Sequence, residues 1–336
     1  MNRVAIVVLN WNGIADTIPC LESLLTQSYR NYTIVLVDNG SIDNSLDVLD
    51  KFIPPHTDKI HLIKNDTNKG FAGGVNTGIR WVIENDYDYV ALFNNDAVAD
   101  KEWLTSLIAA ASTSDEVGIA TGLLLHENGK TIDSTGDWYS VWGLAFPRNR
   151  GDKVSHAPKD GLVFGASGGA TLYKTALLKD IGLFDEDFFA YYEDVDISFR
   201  AQLAGHKVIY TPDAIAYHKQ GATSNKIPGF AIRQTFKNLP LLFWKNVPNR
   251  LLLPIGLRFY LALLLIYGNS FTHHNGWSAT LGTFKGLLLL PKALKQRRLI
   301  QKKKRVSSDY INEMIWHDLP PDQTGLRKFR RFFIGK

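Results

Sequence analysis

YVALFNND, residues 89–96, opens with five strand-forming residues and closes with three polar ones that a buried strand does not accommodate. It matches the apolar run of a strand covered on both faces, delivering Asn94, Asn95 and Asp96 to the point where the sheet opens. The same pattern occurs three more times upstream: Val4 to Leu9, Thr33 to Val37 and Ile60 to Ile63 are short, β-branched runs. Helical spacing lies between them, as in Ile14, Ile18, Leu21 and Leu25, with Asp16 or Thr17 as cap and Pro19 in the first turn. Strand and helix in alternation specify an α/β fold, a mostly parallel Rossmann-like sheet flanked by helices.

In such sheets the chemistry sits beyond the carboxyl ends of the strands. Asn10 and Asn12 follow the first run, Asp38 and Asn39 the second, and Asn94 to Asp96 the fourth. Each is also an ordinary turn former, but together they mark one edge. Asp96 suits a hard divalent cation bridging two phosphates, or a cap for the helix through Trp103, Leu107 and Ile108.

NKGFAGGVNTG, residues 68–78, leaves the third strand and enters a helix. Its glycines permit close backbone approach and Lys69 can meet a phosphate; a tight crossover explains it equally. It has neither GxGxxG spacing nor a GK[ST] ending, so a dehydrogenase or P-loop ATPase does not follow. Further on, Glu193, Asp194 and Asp196 crowd a helix start. They cap that helix, or one of them acts as general base while the others are offset by a metal or a cation. His218, just past a strand in AIAYHKQG, is a candidate metal ligand from a loop.

The remainder bounds the reading. With 336 residues, 45% of them apolar, the chain accommodates one large α/β domain and a smaller appended unit. A single cysteine, Cys20, excludes a disulfide framework and a thiolate metal site, which makes a cytosolic setting the default. The short apolar run at the amino terminus reads as a first strand, not a signal peptide. Periodicity weakens from Gly122 to Phe164, as expected of hairpins and a long loop. After His218 the character changes: Ile232 to Trp244 is amphipathic, and Leu251 to Tyr267 and Leu281 to Leu290 are apolar. Leu251 to Tyr267 is short for a membrane span, so interfacial or core helices are expected. Eight lysines and arginines without an acid follow from Lys292 to Arg305. That run is a solvated face or a seat on an anionic membrane; it lacks the interleaved aromatics of a nucleic-acid surface, and no nucleic-acid partner is expected. The domain boundary is expected between Gly221 and Phe230, giving a catalytic domain over 1–225 and a helical, basic region over 226–336.

VVLNWNG, VDNGSIDNS, NKGFAGGVNTG, LFNNDAV, GASGGATLYK, FDEDFFAYYEDVDISFR and AYHKQG, in this order between Arg3 and Gly221, resemble the family 2 glycosyltransferases. The likeness is to the bacterial rhamnosyltransferase-like and galactofuranosyltransferase-like branches. It implies a GT-A fold with a nucleotide-binding half over about 1–120 and an acceptor-binding half over about 121–225. It further implies an inverting transferase that moves a sugar, rhamnose foremost, from a dTDP-sugar or UDP-sugar donor to a glycan or lipid-linked acceptor in cell-surface polysaccharide synthesis. UDP-galactofuranose, UDP-glucose or UDP-N-acetylglucosamine are alternative donors, and a non-catalytic scaffold subunit is an alternative role.

By the same resemblance Asp194 is the base, with Glu193, Asp196 and Arg200 orienting the acceptor or steadying the helix. Asp38 reads the uracil or thymine edge, with Asn10 and Asn12 beside it. Asn68, Lys69, Asn76 and Asn95 lie near nucleotide or sugar, and Gly168 and Gly169 pass under the donor sugar. Asp96 and His218 hold Mg or Mn, although Asn94 and Asn95 depart from the all-acid triplet. A membrane-proximal C-terminal region at the inner face of the cell membrane completes the expectation.

Overall fold

The computed structural model describes residues 2–219, 227–321 and 323. The expected α/β core is present. Its first half runs β1 (Val4–Asn10), α1 (Ile14–Leu25), β2 (Tyr32–Asp38), α2 (Ser45–Phe52), β3 (Ile60–Lys64), α3 (Gly70–Glu84) and β4 (Tyr89–Asn94). The second half continues with β5 (Ala97–Ala99), α4 (Trp103–Ala111), β6 (Val117–His126), β7 (Ile132–Ser134), β8 (Asp137–Tyr139), β9 (Ala145–Pro147), β10 (Gly161–Val163), β11 (Ala170–Lys174), α5 (Thr175–Ile181), α6 (Glu193–Leu203) and β12 (Lys207–His218). A helical extension follows: α7 (Phe230–Asn246), α8 (Asn249–Thr272), α9 (Gly276–Lys302) and α10 (Ser308–Met314).

The main sheet has the order β10-β12-β6-β11-β4-β1-β2-β3, with β5 on β12 and β7 on β6. It is mixed. The half around β1 is parallel, whereas β11 runs antiparallel between β4 and β6. Alternate side chains of the strands serve two cores. Ile6, Val8 and Leu36 pack with Leu21, Leu24 and Trp103 on one face, while Val7, Val35 and Val37 meet Val75, Ile79 and Ile197 on the other. A third core joins the extension to the α/β unit through Tyr139, Phe164 and Phe199 against Leu242, Phe243 and Phe259. Each such buried side chain contributes roughly 1.5–3 kcal/mol, enough together to seat the extension firmly.

Several local expectations are corrected. Helix α1 begins after Gly13, so Asp16 and Thr17 lie inside it and Pro19 is its sixth residue. Thr17 instead turns its hydroxyl back to Gly13 O and Asn10 Oδ1. The strand entering the presumed loop at Gly122 continues to His126, because Leu123, Leu124 and Leu125 are all buried. Apolar and basic halves of the last long segment form one 27-residue helix, α9, with Pro291 inside it. Helix α8 extends past the apolar run through Asn249 and Thr272 to 24 residues, long and apolar enough to cross a membrane by length and composition. The expected domain boundary falls mainly on residues 220–226, outside the described residues.

Candidate active site

Strand register assembles the site. Pairing of β1 with β2 sets Asn10 opposite Asp38, and pairing with β4 sets Leu9 opposite Asn94, so three polar strand ends meet at one edge. Antiparallel β11 enters beside them: Ala170 faces Phe93, and Asn94 N donates to Gly169 O at 2.9 Å. At the other end β12 pairs with β5, His218 opposite Ala97, which carries the imidazole to Asp96.

These ends open into a cleft of about 910 Å³, lined among others by Asn68, Asn95, Asp96, Gly168, Gly169, Glu193, Asp194 and His218. A separate hollow of about 980 Å³ between α5, α6 and α9 holds ion-paired side chains such as Glu186, Lys245 and Lys292; of the candidate residues it takes only Arg200.

On one side of the cleft His218 Nε2 lies 3.0 Å from Asp96 Oδ1, and Nδ1 lies 2.7 Å from Asp133 Oδ2. Burial alone would lower the imidazole's pKa, but the Asp133 and Asp96 carboxylates outweigh it and raise it to about 9. The other Asp133 oxygen pairs with Arg150 at 2.8 Å. A carboxylate–imidazole–ligand arrangement of this kind fixes the ring so that one nitrogen faces a cation. Among the described residues no group of three or more His, Cys, Asp or Glu encloses a metal. A two-donor set of one carboxylate and one imidazole fits a divalent ion that draws its remaining ligands from substrate phosphate and water.

Across the glycine floor stands the acid pair. Asp194 Oδ2 accepts from Gly168 N at 3.0 Å and Oδ1 from Val195 N at 2.8 Å. Burial nevertheless pushes its carboxyl above the ordinary range. Glu193 is pushed well up by burial and then by the Asp194 charge, and its Oε2 has no hydrogen-bond partner. A Cβ on Gly168 would sit 3.4 Å from Asp194 Cβ, and one on Gly169 would sit 3.4 Å from Asn94 Nδ2; side chains here would fill the space between acid and cation site.

The remaining candidates separate. Asn68 and Asn95 line the cleft, the first accepting from Asn39 Nδ2 and Gly70 N, the second donating to Thr17 Oγ1. Asn10, Asp38 and Asn12 lie outside the lining, the first two buried and Asn12 partly exposed, and all three bond the turn that follows β2. Asn10 Nδ2 donates to Asp38 Oδ2, Asp38 Oδ1 accepts from Ser41 N, and Asn12 Oδ1 accepts from Ile42 N. Lys69 binds Asn65 Oδ1, and Asn76 fastens the loop at Phe184 and Glu186. Asp196 turns away from the cleft to Arg200 and Lys245. Burial would raise its carboxyl, but Lys245 and Arg200 hold it down at about 2.

Sequence reasoning did not single out Asp133, Asp137, Arg150 or Asn39 as a set. Asp137 is buried at the cleft and pushed well above the usual carboxylate range by burial and the Asp194 charge, with Arg150 opposing. Asn39 binds Asn65, Asn68, Lys69 and Gly70, tying β2 to the glycine-rich turn. Polar residues inside the short buried strand IDS were the one available hint of Asp133.

The chain and its fold are similar to known proteins. Poly-beta-1,6-N-acetyl-D-glucosamine synthase of Staphylococcus epidermidis is 26% identical over 200 residues, 59% of this chain and 45% of that protein. The synthase of the same name from Staphylococcus aureus (strain MSSA476) is 27% identical over 207 residues, 60% of this chain and 47% of that protein. The chain thus aligns with about half the length of these curated relatives. Among solved structures, the fold is similar to the mannosyltransferase PcManGT from Pyrobaculum calidifontis in complex with GDP-Man and Mn2+, with a TM-score of 0.56 at 17% identity, covering 93% of this chain and 86% of that one. GalNAc-T7 with UDP, GalNAc and Mn2+ gives 0.59 at 16% identity over 73% and 48% of the two chains. S. aureus TarS 1–349 gives 0.54 at 17% over 93% and 89%. Neither the curated relatives nor these structures single out a rhamnosyl or galactofuranosyl branch. The family profile described as "Glycosyl transferase family 2" matches residues 5–182, more than half of the sequence, and the chain belongs to that family.

Proposed function

We propose that the protein is an inverting transferase that moves a sugar from a UDP-sugar to a hydroxyl of a glycan or lipid-linked acceptor in polysaccharide synthesis. N-acetylglucosamine or a related hexose is the donor sugar we favour over rhamnose, on the support of the relatives' names. The observation that carries the reading is that Asp194 and the Asp96–His218 pair line one cleft on either side of Gly168 and Gly169.

Asp194 is half-buried, held at both oxygens by backbone amides, and pushed above the ordinary carboxylate range by burial, the direction that favours a general base. It takes the acceptor proton as the acceptor oxygen forms its bond to the anomeric carbon. The bond from that carbon to the diphosphate oxygen breaks, its electron pair stays with the nucleotide, and the configuration inverts. Asp96 and His218 would hold Mg or Mn, which when bound supplies positive charge to the diphosphate. Asn68 and Asn95 offer amide groups to the donor, and Gly168 and Gly169 leave room for the sugar.

A seat on the inner face of the cell membrane is the second part of the proposal. From residue 214 to 308 there are sixteen lysines and arginines and no acid. Helices α8 and α9 expose Leu253, Leu257, Leu264, Trp277, Phe284 and Leu288 in the same region. Apolar side chains flanked by unopposed cations suit an anionic bilayer.

Incubation with a panel of UDP- and dTDP-sugars, with Mn2+ or with chelator, and assignment of the product's anomeric configuration test the reading. Metal-dependent release of UDP with an inverted product is expected. Folded protein that releases nucleotide from no sugar donor, or yields a retained product, would overturn it.

A further inference from the structure

The stretch that delivers the acid pair carries unfavourable backbone geometry. Just before Glu193, Phe189, Tyr191 and Tyr192 have φ of 62°, 68° and 71°. Left-handed backbone at non-glycine residues costs about 1–2 kcal/mol each. Gly70 packs directly beneath: a Cβ there would sit 2.5 Å from Phe189 O. Its own turn bonds, from Phe188 N to Asp185 O, Phe189 N to Glu186 O and Ala190 N to Phe188 O, offset part of that cost, and contacts from outside the stretch add to them.

Helix α7, in the C-terminal extension, provides most of these outside side-chain contacts. The fully buried Asn238 donates its Nδ2 to Phe188 O at 3.0 Å, Ala190 O at 2.9 Å and Tyr191 O at 2.7 Å. Its Oδ1 has no hydrogen-bond partner, so the side chain's hydrogen bonding is all directed at this loop. One residue earlier, Lys237 Nζ donates to Asp187 O at 2.8 Å and Phe188 O at 3.0 Å. Two turns further along, Asn246 and Lys245 grip Asp196 on the far side of Asp194. The same helix therefore fastens the chain before and after the acid, while Lys237 and Asn238 stay out of the cleft lining.

We propose that Asn238, assisted by Lys237, is a positioning residue that sets residues 187–192 and thereby aims Asp194 at the acceptor hydroxyl. The inference rests on the reading of Asp194 as base. It gives the C-terminal extension a part in the reaction geometry. Helix α7 is itself backed by α9, where a Cβ on Gly286 would come within 2.9 Å of Lys237 O.

The test uses the full chain with the donor identified in the panel and its acceptor. Asn238→Ala, Lys237→Met and Lys237→Arg are made alone, and Asn238→Ala and Lys237→Met also in an Asp194→Asn background. UDP affinity is read by calorimetry and folding by thermal melting. Asn238→Ala is expected to lower kcat about 100-fold with UDP affinity unchanged, and to add nothing to the loss caused by Asp194→Asn. Lys237→Met should lower kcat less, with Lys237→Arg restoring most of it. Wild-type kcat in folded Asn238→Ala, or a loss that adds in full to that of Asp194→Asn, overturns the positioning role alone. Wild-type rate in Asp194→Asn overturns the base assignment and the positioning role with it. If Asn238→Ala does not fold, the Lys237 pair decides by the same criteria.

Discussion

The amide of Gly168 donates to Asp194 Oδ2 across 3.0 Å, joining the floor under the proposed sugar site to the proposed base. A carboxylate so held keeps one geometry, and a Cβ at Gly168 would come into van der Waals contact with it.

Asp194→Asn should fold and bind UDP, because its amide oxygen keeps one of the two backbone bonds, from Gly168 N or from Val195 N, and the near-isosteric change removes a charge from a buried site. Transfer should fall about 10³-fold, within the range of lost general-base catalysis. Nucleotide release under saturating donor, beside a thermal melt, measures both; a folded variant of undiminished rate would remove Asp194 from the mechanism.

Asp133 orients His218 and does not line the cleft. Asp133→Asn should weaken Mn2+ binding about 10–100-fold, the usual cost of losing a carboxylate behind a ligating imidazole. Activity titrated against Mn2+ should reach the parent's plateau at higher metal concentration. An unshifted titration would mean that His218 does not ligate.

Two acids of α6 predict opposite responses to pH. Glu193, raised by burial and the Asp194 charge, keeps its proton to higher pH when folded than when unfolded. The folded state then binds more protons, so stability falls as pH rises from the unfolded value near ~4.3 through the folded one. Glu193→Gln should melt higher than the parent at pH 8, with the gap closing in acid. Asp196 sits at about 2, below its unfolded value, so its contribution is present above about pH 4 and is lost as pH falls toward 2. That contribution is on the order of 2 kcal/mol, and Asp196→Asn should melt lower than the parent at pH 7, with the deficit shrinking in acid. Melting curves over a pH series check both signs.

Exchange of Leu257, Leu264, Phe284 and Leu288 for serine should leave the catalytic cores intact, since all four side chains are exposed. Flotation with vesicles rich in anionic phospholipid should recover the parent with lipid and the variant far less. Equal recovery of both in the lipid-free fraction would count against the membrane seat.

Much of the fold was legible because its cause is local. The runs VAIVVLN and YVALFN are buried strands by composition, and polar residues at their carboxyl ends mark the open edge wherever neighbouring strands run parallel. Asp96 and His218 were named from strand ends and Asp194 from a helix start, and the three line one cleft. What escaped was the support. Asp133 reaches His218 across 85 residues, and Asn238 reaches Ala190 across 48, with no spacing rule to connect them. The length of α8 was misjudged because polar residues at its ends continue the helix past the apolar run.

By itself, then, the chain's pattern of apolar strands and polar strand ends determined the layered α/β architecture and the edge that opens into the cleft, and it marked the helix start that carries the clustered acids. Tertiary structure alone decided which of those acids faces the cleft. Asp194 and Asp196 are two residues apart on one helix, yet one is turned to open space by Gly168 and the other into the interior by Lys245 and Arg200. Helical rotation of about 100° per residue separates the two side chains, but only packing by distant segments determines what each of them meets.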